Sequence, residues 1–309
     1  MSPRPAARRS WPAAVVVITA AVILLLVIGG RSEPRPEGTL AALDLPEPQP
    51  PGEVVGTLPT RGGLRADVLR PPGSGTGLPV VVLVHGCCGD RADLGTFATA
   101  VAGAGAVVLN ADWSALRPGS QFEQAYQDVA CAVLVAREHA AHFGGDPGRV
   151  TLVGWSDGAM AAMVVTAAGD RFSPSGCASG PGSVRPDAVV GLSGFYGWPL
   201  PVEGAYVNPR SEAFLGGPPE RAARNWREAT AHGWLAASAP RCAGLLVGSD
   251  HVLAEQARRY AAALRSAGHR AHLVLVPPAG DQSLLSSRTA EGRAAVREVL
   301  TAVELCPAT

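Results

Sequence analysis

The sequence predicts an α/β protein: a three-layer αβα sandwich around a mostly parallel central sheet of about eight strands, with an N-terminal transmembrane helix. Three observations lead there. Short apolar runs alternate with longer stretches of helical periodicity, and parallel strands joined by crossover helices are the architecture that buries both. The run 79–84 is apolar throughout, as strands covered on both faces are, and the run 149–153 carries Val150, Leu152 and Val153. Residues 11–30 form an almost unbroken apolar stretch without a charge, and about 20 such residues suffice to cross a bilayer as a helix.

Arg4, Arg8 and Arg9 precede that stretch, so the positive-inside rule puts residues 1–10 in the cytoplasm and the remainder outside. A cleaved signal peptide has the same basic start and apolar middle. No small-x-small cleavage site follows Gly30 directly, which favours an uncleaved signal anchor; either way the following domain is exported. Residues 31–52 carry Pro34, Pro36, Pro46, Pro48, Pro50 and Pro51 among acidic residues and read as an extended tether.

One domain is expected over 53–305. Residues 54–58 and 64–69, separated by Thr60-Arg61-Gly62-Gly63, resemble an opening hairpin. After the buried strand at 79–84, residues 94–103 fit a helix, 106–110 a strand and 122–142 a long helix. A strand at 149–153 and a helix from Ala159 follow. Later strands are expected at 188–192, 245–248 and 273–276, with helices at 254–267 and 289–303. Between about 194 and 240 the alternation breaks and Phe195, Tyr196, Trp198, Tyr206, Phe214, Trp226 and Trp234 gather. An insertion there overlies the carboxyl ends of the strands, where such sheets bind ligands, and either caps the pocket or packs the loop onto the sheet.

Composition removes several chemistries. All 26 basic residues are arginine, so no Schiff-base lysine, serine-lysine dyad or P-loop lysine exists. Net charge is zero and arginines run no further than pairs, which gives no footprint for nucleic acid. Six cysteines, Cys87, Cys88, Cys131, Cys177, Cys242 and Cys306, suit disulfides in an exported protein and lack zinc-ligand spacing. The expected pairs are Cys242 with Cys306, and one of the vicinal Cys87 and Cys88 with Cys131. No cofactor or metal is called for.

The chemistry is carried by Gly154-Trp155-Ser156-Asp157-Gly158, a G-x-S-x-G motif lying directly between an apolar strand and Ala159-Met160-Ala161-Ala162-Met163. A serine hydroxyl needs to stand exposed beside a base, and a sharp strand-to-helix turn exposes it. Glycine two before and two after the serine lets neighbouring backbone approach that turn. A second turn, His85-Gly86-Cys87-Cys88-Gly89, ends the strand at 79–84 and offers backbone N–H groups where an oxyanion would develop.

These two turns, together with Phe143-Gly144-Gly145-Asp146-Pro147-Gly148-Arg149 leading into the elbow strand, resemble the α/β-hydrolase fold, near its carboxylesterase and dienelactone-hydrolase-like branches. The resemblance covers roughly residues 54 to 303. It implies Ser156 as nucleophile and an oxyanion hole from the Asp157 N–H and an N–H of the Gly86-Cys87 turn. It also implies an acid after a late strand, and Asp250, following Leu245-Leu246-Val247-Gly248-Ser249, stands there.

The family histidine is missing. Its loop reads Val276-Pro277-Pro278-Ala279-Gly280-Asp281-Gln282, which puts Gln282 in the slot, or Asp281 if the register moves by one. Glutamine has no titratable nitrogen and cannot take the serine proton. His251, beside Asp250, and His232, in the insertion, are the substitute bases; His85, His139, His142, His269 and His272 read as structural or surface residues. Three functions remain open: a membrane-tethered serine esterase acting on small-molecule esters with an unconventional base, an inactive binding or scaffold protein, and an acyltransferase.

Overall fold

A computed structural model describes residues 49–73, 75–197, 207–235, 242–249, 253–277 and 282–305. The expected anchor at 11–30, most of the tether, Asp250, His251, Asp281 and Cys306 lie outside them. Among the described residues no helix is long and apolar enough to cross a membrane.

Eight strands form one sheet: β1 (Glu53–Pro59), β2 (Arg65–Arg70), β3 (Leu78–Val84), β4 (Val107–Ala111), β5 (Gly145–Trp155), β6 (Ala188–Leu192), β7 (Cys242–Gly248) and β8 (Arg270–Val276), in the order β1-β2-β4-β3-β5-β6-β7-β8. The opening hairpin β1–β2 and the β2–β4 pair are antiparallel. All other neighbours run parallel. The helices that return the chain are α1 (Gly95–Gly103), α2 (Phe122–His139), α3 (Asp157–Ala168), α6 (Ala254–Ser266) and α7 (Ala290–Leu305). Two short helices, α4 (Pro209–Leu215) and α5 (Ala223–Glu228), belong to the insertion after β6.

Side-chain alternation divides β3 between two cores. Val80, Val82 and Val84 pack with Tyr126, Val129, Met163 and Tyr260 of α2, α3 and α6, whereas Val81 and Leu83 pack with Phe97, Val101, Ala295 and Val299 of α1 and α7. Both faces of the sheet are therefore covered, which is why its strands read as continuous apolar runs. Helix α3 is buried from Asp157 to Ala167, so it shows no polar stripe and sits at the centre of its layer.

The topology selects one crevice. From β3 the chain turns one way to β4, and from β5 it proceeds the other way through β6, β7 and β8. The carboxyl ends of β3 and β5 therefore flank the switch point, the place where α/β sheets open toward ligands. The expected turns at 85–89 and 154–158 leave the sheet there.

Two disulfide expectations have different outcomes. Cys131 bonds Cys177, with Cα atoms 5.5 Å apart, while Cys87 and Cys88 are free thiols, so the pairing of the vicinal cysteines with Cys131 is corrected. The vicinal pair sits on the β3 turn, whereas Cys131 faces the segment after α3 from the middle of α2. Cys242 is disulfide-bonded, and its expected partner is outside the described residues.

Candidate active site

Ser156 follows the last residue of β5 and caps α3 with φ 55° and ψ −119°. That backbone is strained for a residue with a side chain, and strain of this kind persists only where the surroundings hold it. Ser156 N–H donates to Leu192 O at 2.9 Å, and Ala159 N–H donates to Ser156 O at 3.0 Å. The motif glycines provide the room. A Cβ on Gly154 would lie 2.0 Å from Gly158 O, and one on Gly158 would lie 2.4 Å from His85 O and 2.5 Å from Val84 O. Here glycine is required by close backbone approach.

The β3 turn meets the elbow directly. Parallel pairing places Val84 opposite Gly154, and a Cβ on Gly86 would be 3.3 Å from the Ser156 Cβ. Cys87 N–H is aimed across the crevice and donates to Asp157 Oδ2 at 3.4 Å. The Ser156 hydroxyl, half-buried, donates to the same oxygen at 3.4 Å. Cys87 N–H, Ser156 Oγ and the first residue of α3 thus surround one small space. The helix N-terminus adds a partial positive charge there.

His85 holds this turn in place. It is fully buried, and its Nδ1 donates to Gly86 O at 2.7 Å, since a carbonyl can only accept. Trp113 Nε1 donates to His85 O at 2.9 Å. Burial holds the imidazole below its ordinary pKa and keeps it neutral. Burial, reinforced by the Asp157 carboxyl, pushes the Cys87 thiol well above its usual range, so it stays protonated beside the serine.

The loops after β6 and β8 are assembled differently. Gln282 opens the short turn Ser283–Leu285 after β8; its side chain is exposed and bonds nothing among the described residues. His232 is exposed, and its Nδ1 pairs with Tyr196 O at 2.8 Å in the loop after β6. His272 lies within β8 rather than before it, and its Nδ1 meets both Glu298 carboxylate oxygens at 2.8 and 2.9 Å. Among the described residues no imidazole hydrogen-bonds Ser156, whose only side-chain partner is Asp157. Asp250 and His251 follow β7, beyond the described residues.

The insertion splits into two roles. Phe214 and Leu215 of α4 close a narrow cavity that begins at Asp157 and is otherwise walled by Trp113, Leu116, Tyr126, Met160, Ser211 and Ala229. Phe195 and Tyr196 are buried, and Tyr196 stacks on Tyr260 with ring centroids 4.8 Å apart. Trp234 packs edge-on to Phe172. Trp198 and Tyr206 are outside the described residues. Sequence reasoning used Asp157 only for its N–H; the signal for its side chain was a carboxylate heading a helix that is otherwise apolar. Trp113 and Tyr126 gave no such signal, because only folding brings them over α3.

With this geometry in place, comparison assigns the chain. It matches the BD-FAE family over residues 66–250, more than half its length. The chain belongs to the BD-FAE family. No curated protein matches it. Solved structures with the same fold include a bacterial heroin esterase, at 20% identity and TM-score 0.63 over 94% of this chain and 91% of that one. A thermostable esterase from Pseudomonas putida ECU1011 aligns at 20% identity and TM-score 0.60, covering 94% and 97%. The butyrate-bound esterase Est2 of Thermogutta terrifontis aligns at 19% identity and TM-score 0.58, covering 76% and 86%. The BD-FAE chain therefore has the α/β-hydrolase fold, as the two turns led us to expect.

Proposed function

We propose that this BD-FAE protein is an exported, membrane-anchored carboxylic-ester hydrolase acting through an acyl-Ser156 intermediate. The observation that carries the reading is the strained Ser156 backbone at the switch-point crevice, where Cys87 N–H reaches Asp157 Oδ2 next to the serine. Ser156 Oγ forms a bond to the ester carbonyl carbon while the carbonyl electrons move onto its oxygen. Cys87 N–H and Asp157 N–H receive that oxyanion, with the Gly86 turn setting their approach. The C–O bond to the alcohol then breaks, the alcohol leaves with the serine proton, and water repeats the sequence to release the acid. The proton acceptor is assigned to His251, with Asp250 as its acid, both in the segment that follows β7. Among the described residues no imidazole hydrogen-bonds Ser156, and His232, whose Nδ1 pairs with Tyr196 O, is the alternative acceptor. The narrow cavity suits a small acyl group. The Cys131–Cys177 disulfide supports an oxidising compartment, and residues 11–30 supply the anchor.

A fluorophosphonate probe tests the core of this reading. Ser156 becomes labelled in the intact protein and Ser156→Ala removes both labelling and ester turnover; a protein inert to the probe at high concentration overturns it. One observation favours a second reading, a binding protein on a hydrolase frame: Gln282, which the sequence reading puts in the histidine's slot, is exposed and has no side-chain hydrogen bond among the described residues. Active ester turnover that disappears with His251→Ala rejects that alternative.

A further inference from the structure

The Asp157 side chain is the least explained group in the site. It is 8% exposed, sits at the first turn of a helix that is apolar thereafter, and lines a cavity of aromatic and aliphatic residues. Its partners are Cys87 N–H and the Ser156 hydroxyl, both at 3.4 Å, the outer limit of a hydrogen bond, together with the Cys87 thiol and its own backbone N–H. No arginine or histidine pairs with it among the described residues, and the chain has no lysine. The polar edges around it are committed elsewhere. Tyr126 OH donates to Ala229 O at 2.8 Å, Trp113 Nε1 donates to His85 O, and Ser211 caps α4 through Asn208. A buried carboxylate without a cation is expensive, and burial accordingly raises the Asp157 pKa.

The position of the charge matters as much as its burial. Asp157 Oδ2 lies against Cys87 N–H, where the reaction's oxyanion is to be received, so an ionised Asp157 opposes the transition state of any neutral ester. A positive group beside the carboxylate neutralises that charge, and among the described residues no arginine or histidine supplies one. Asp157 Oδ2 lies 3.4 Å from Ser156 Oγ, so a cation that meets the carboxylate sits close to the carbonyl carbon held by Ser156. Trp113 and Tyr126 line the same cavity, and aromatic rings accommodate cations.

We propose that Asp157 is the acyl-side specificity residue and binds the ammonium of an α-amino acyl ester. This inference rests on the esterase reading for its substrate class, but the binding surface stands apart from it. The protein thus takes esters of small amino acids and discriminates against isosteric neutral acids.

L-alanine methyl ester and methyl isobutyrate, which differ by an ammonium in place of a methyl, provide the test. In the wild type kcat/KM near neutral pH favours the alanine ester by about tenfold or more, the range of a hydrogen bond to a charged group. In Asp157→Asn the ratio falls by about tenfold, through a slower alanine ester and a faster isobutyrate. A ratio unchanged by the substitution, or an equal loss on both esters, overturns the proposal. A second arm needs no catalysis: by calorimetry Ser156→Ala binds L-alanine methyl ester, and Ser156→Ala with Asp157→Asn does not. Equal binding by these two proteins rejects the subsite. If neither ester is hydrolysed and Ser156 resists fluorophosphonate, the esterase reading falls and the calorimetric arm alone decides the ammonium site.

Discussion

The rim that carries Ser156 and the rim that follows β7 and β8 are built on different principles. On the first, two turns are locked by strand register and backbone contact. Val84 pairs with Gly154, Gly158 admits the carbonyls of Val84 and His85, and a strained serine results. On the second, Gln282 starts a short turn and is free of side-chain partners among the described residues, so the sheet imposes no such constraint on the residue type there. The comparison teaches that the turns carrying the proposed nucleophile and oxyanion groups are fixed by the core of the fold, whereas the loop after β8, where the sequence reading puts the acceptor's slot, is not.

The largest effect expected from breaking the first rim is that of Ser156→Ala, a loss of ester turnover of about a thousandfold or more with folding intact, measured by initial rates and thermal melting. Gly158→Ala attacks the same rim through its backbone. With a Cβ 2.4 Å from His85 O, it destabilises by about 3 kcal/mol or more, seen as a lowered midpoint in urea. Gln282→His sharpens the comparison from the other side. Because that side chain is exposed, stability changes by no more than about 0.5 kcal/mol, while ester turnover rises by about a hundredfold if position 282 is the histidine slot. Unchanged turnover at unchanged stability moves the acceptor elsewhere and strengthens His251.

Cys131→Ala tests whether the two rims are independent of the helical layer behind them. The loop closed by that disulfide spans 46 residues, and its loss costs about 2–4 kcal/mol in denaturant stability while Ser156 keeps its reactivity toward fluorophosphonate. The smallest effect is a pH dependence. The Asp157 pKa is raised by burial, so the folded state holds its proton longer than the unfolded chain. The stability this gives is fully present below the unfolded carboxylate pKa of about 3.9 and is lost as pH rises through the folded value. Thermal midpoints of the wild type therefore decline relative to Asp157→Asn as pH rises from acid toward neutral. Parallel curves mean that Asp157 has a cationic partner in the resting protein.

Much of the fold was legible in local pattern. Strand β6 falls at 188–192 as read from its apolar run, and β1 and β2 pair as the glycine-bearing turn between them suggests. The elbow was legible because glycine is forced at 154 and 158 by contacts that no other residue permits. The vicinal cysteines misled for the opposite reason. Cysteine content suggests bonding but not partners, and only the packing of α2 against the segment after α3 brings Cys131 to Cys177. Similarly, His272 read as lying ahead of the last strand, yet β8 begins at Arg270 and the residue is held by Glu298 from α7.

By itself the sequence determined the layered architecture and the strand-turn-helix unit that exposes Ser156, because each depends on residue periodicity or on groups adjacent in the chain. Tertiary structure alone decided which cysteines bond, that Cys87 N–H reaches the Asp157 carboxyl beside Ser156, and that Asp157 lies buried in one cavity with Trp113 and Tyr126. Those outcomes depend on strands and helices distant in the chain meeting at one crevice, and a buried carboxyl held there without an arginine or histidine among the described residues is a property of the packed molecule rather than of any segment.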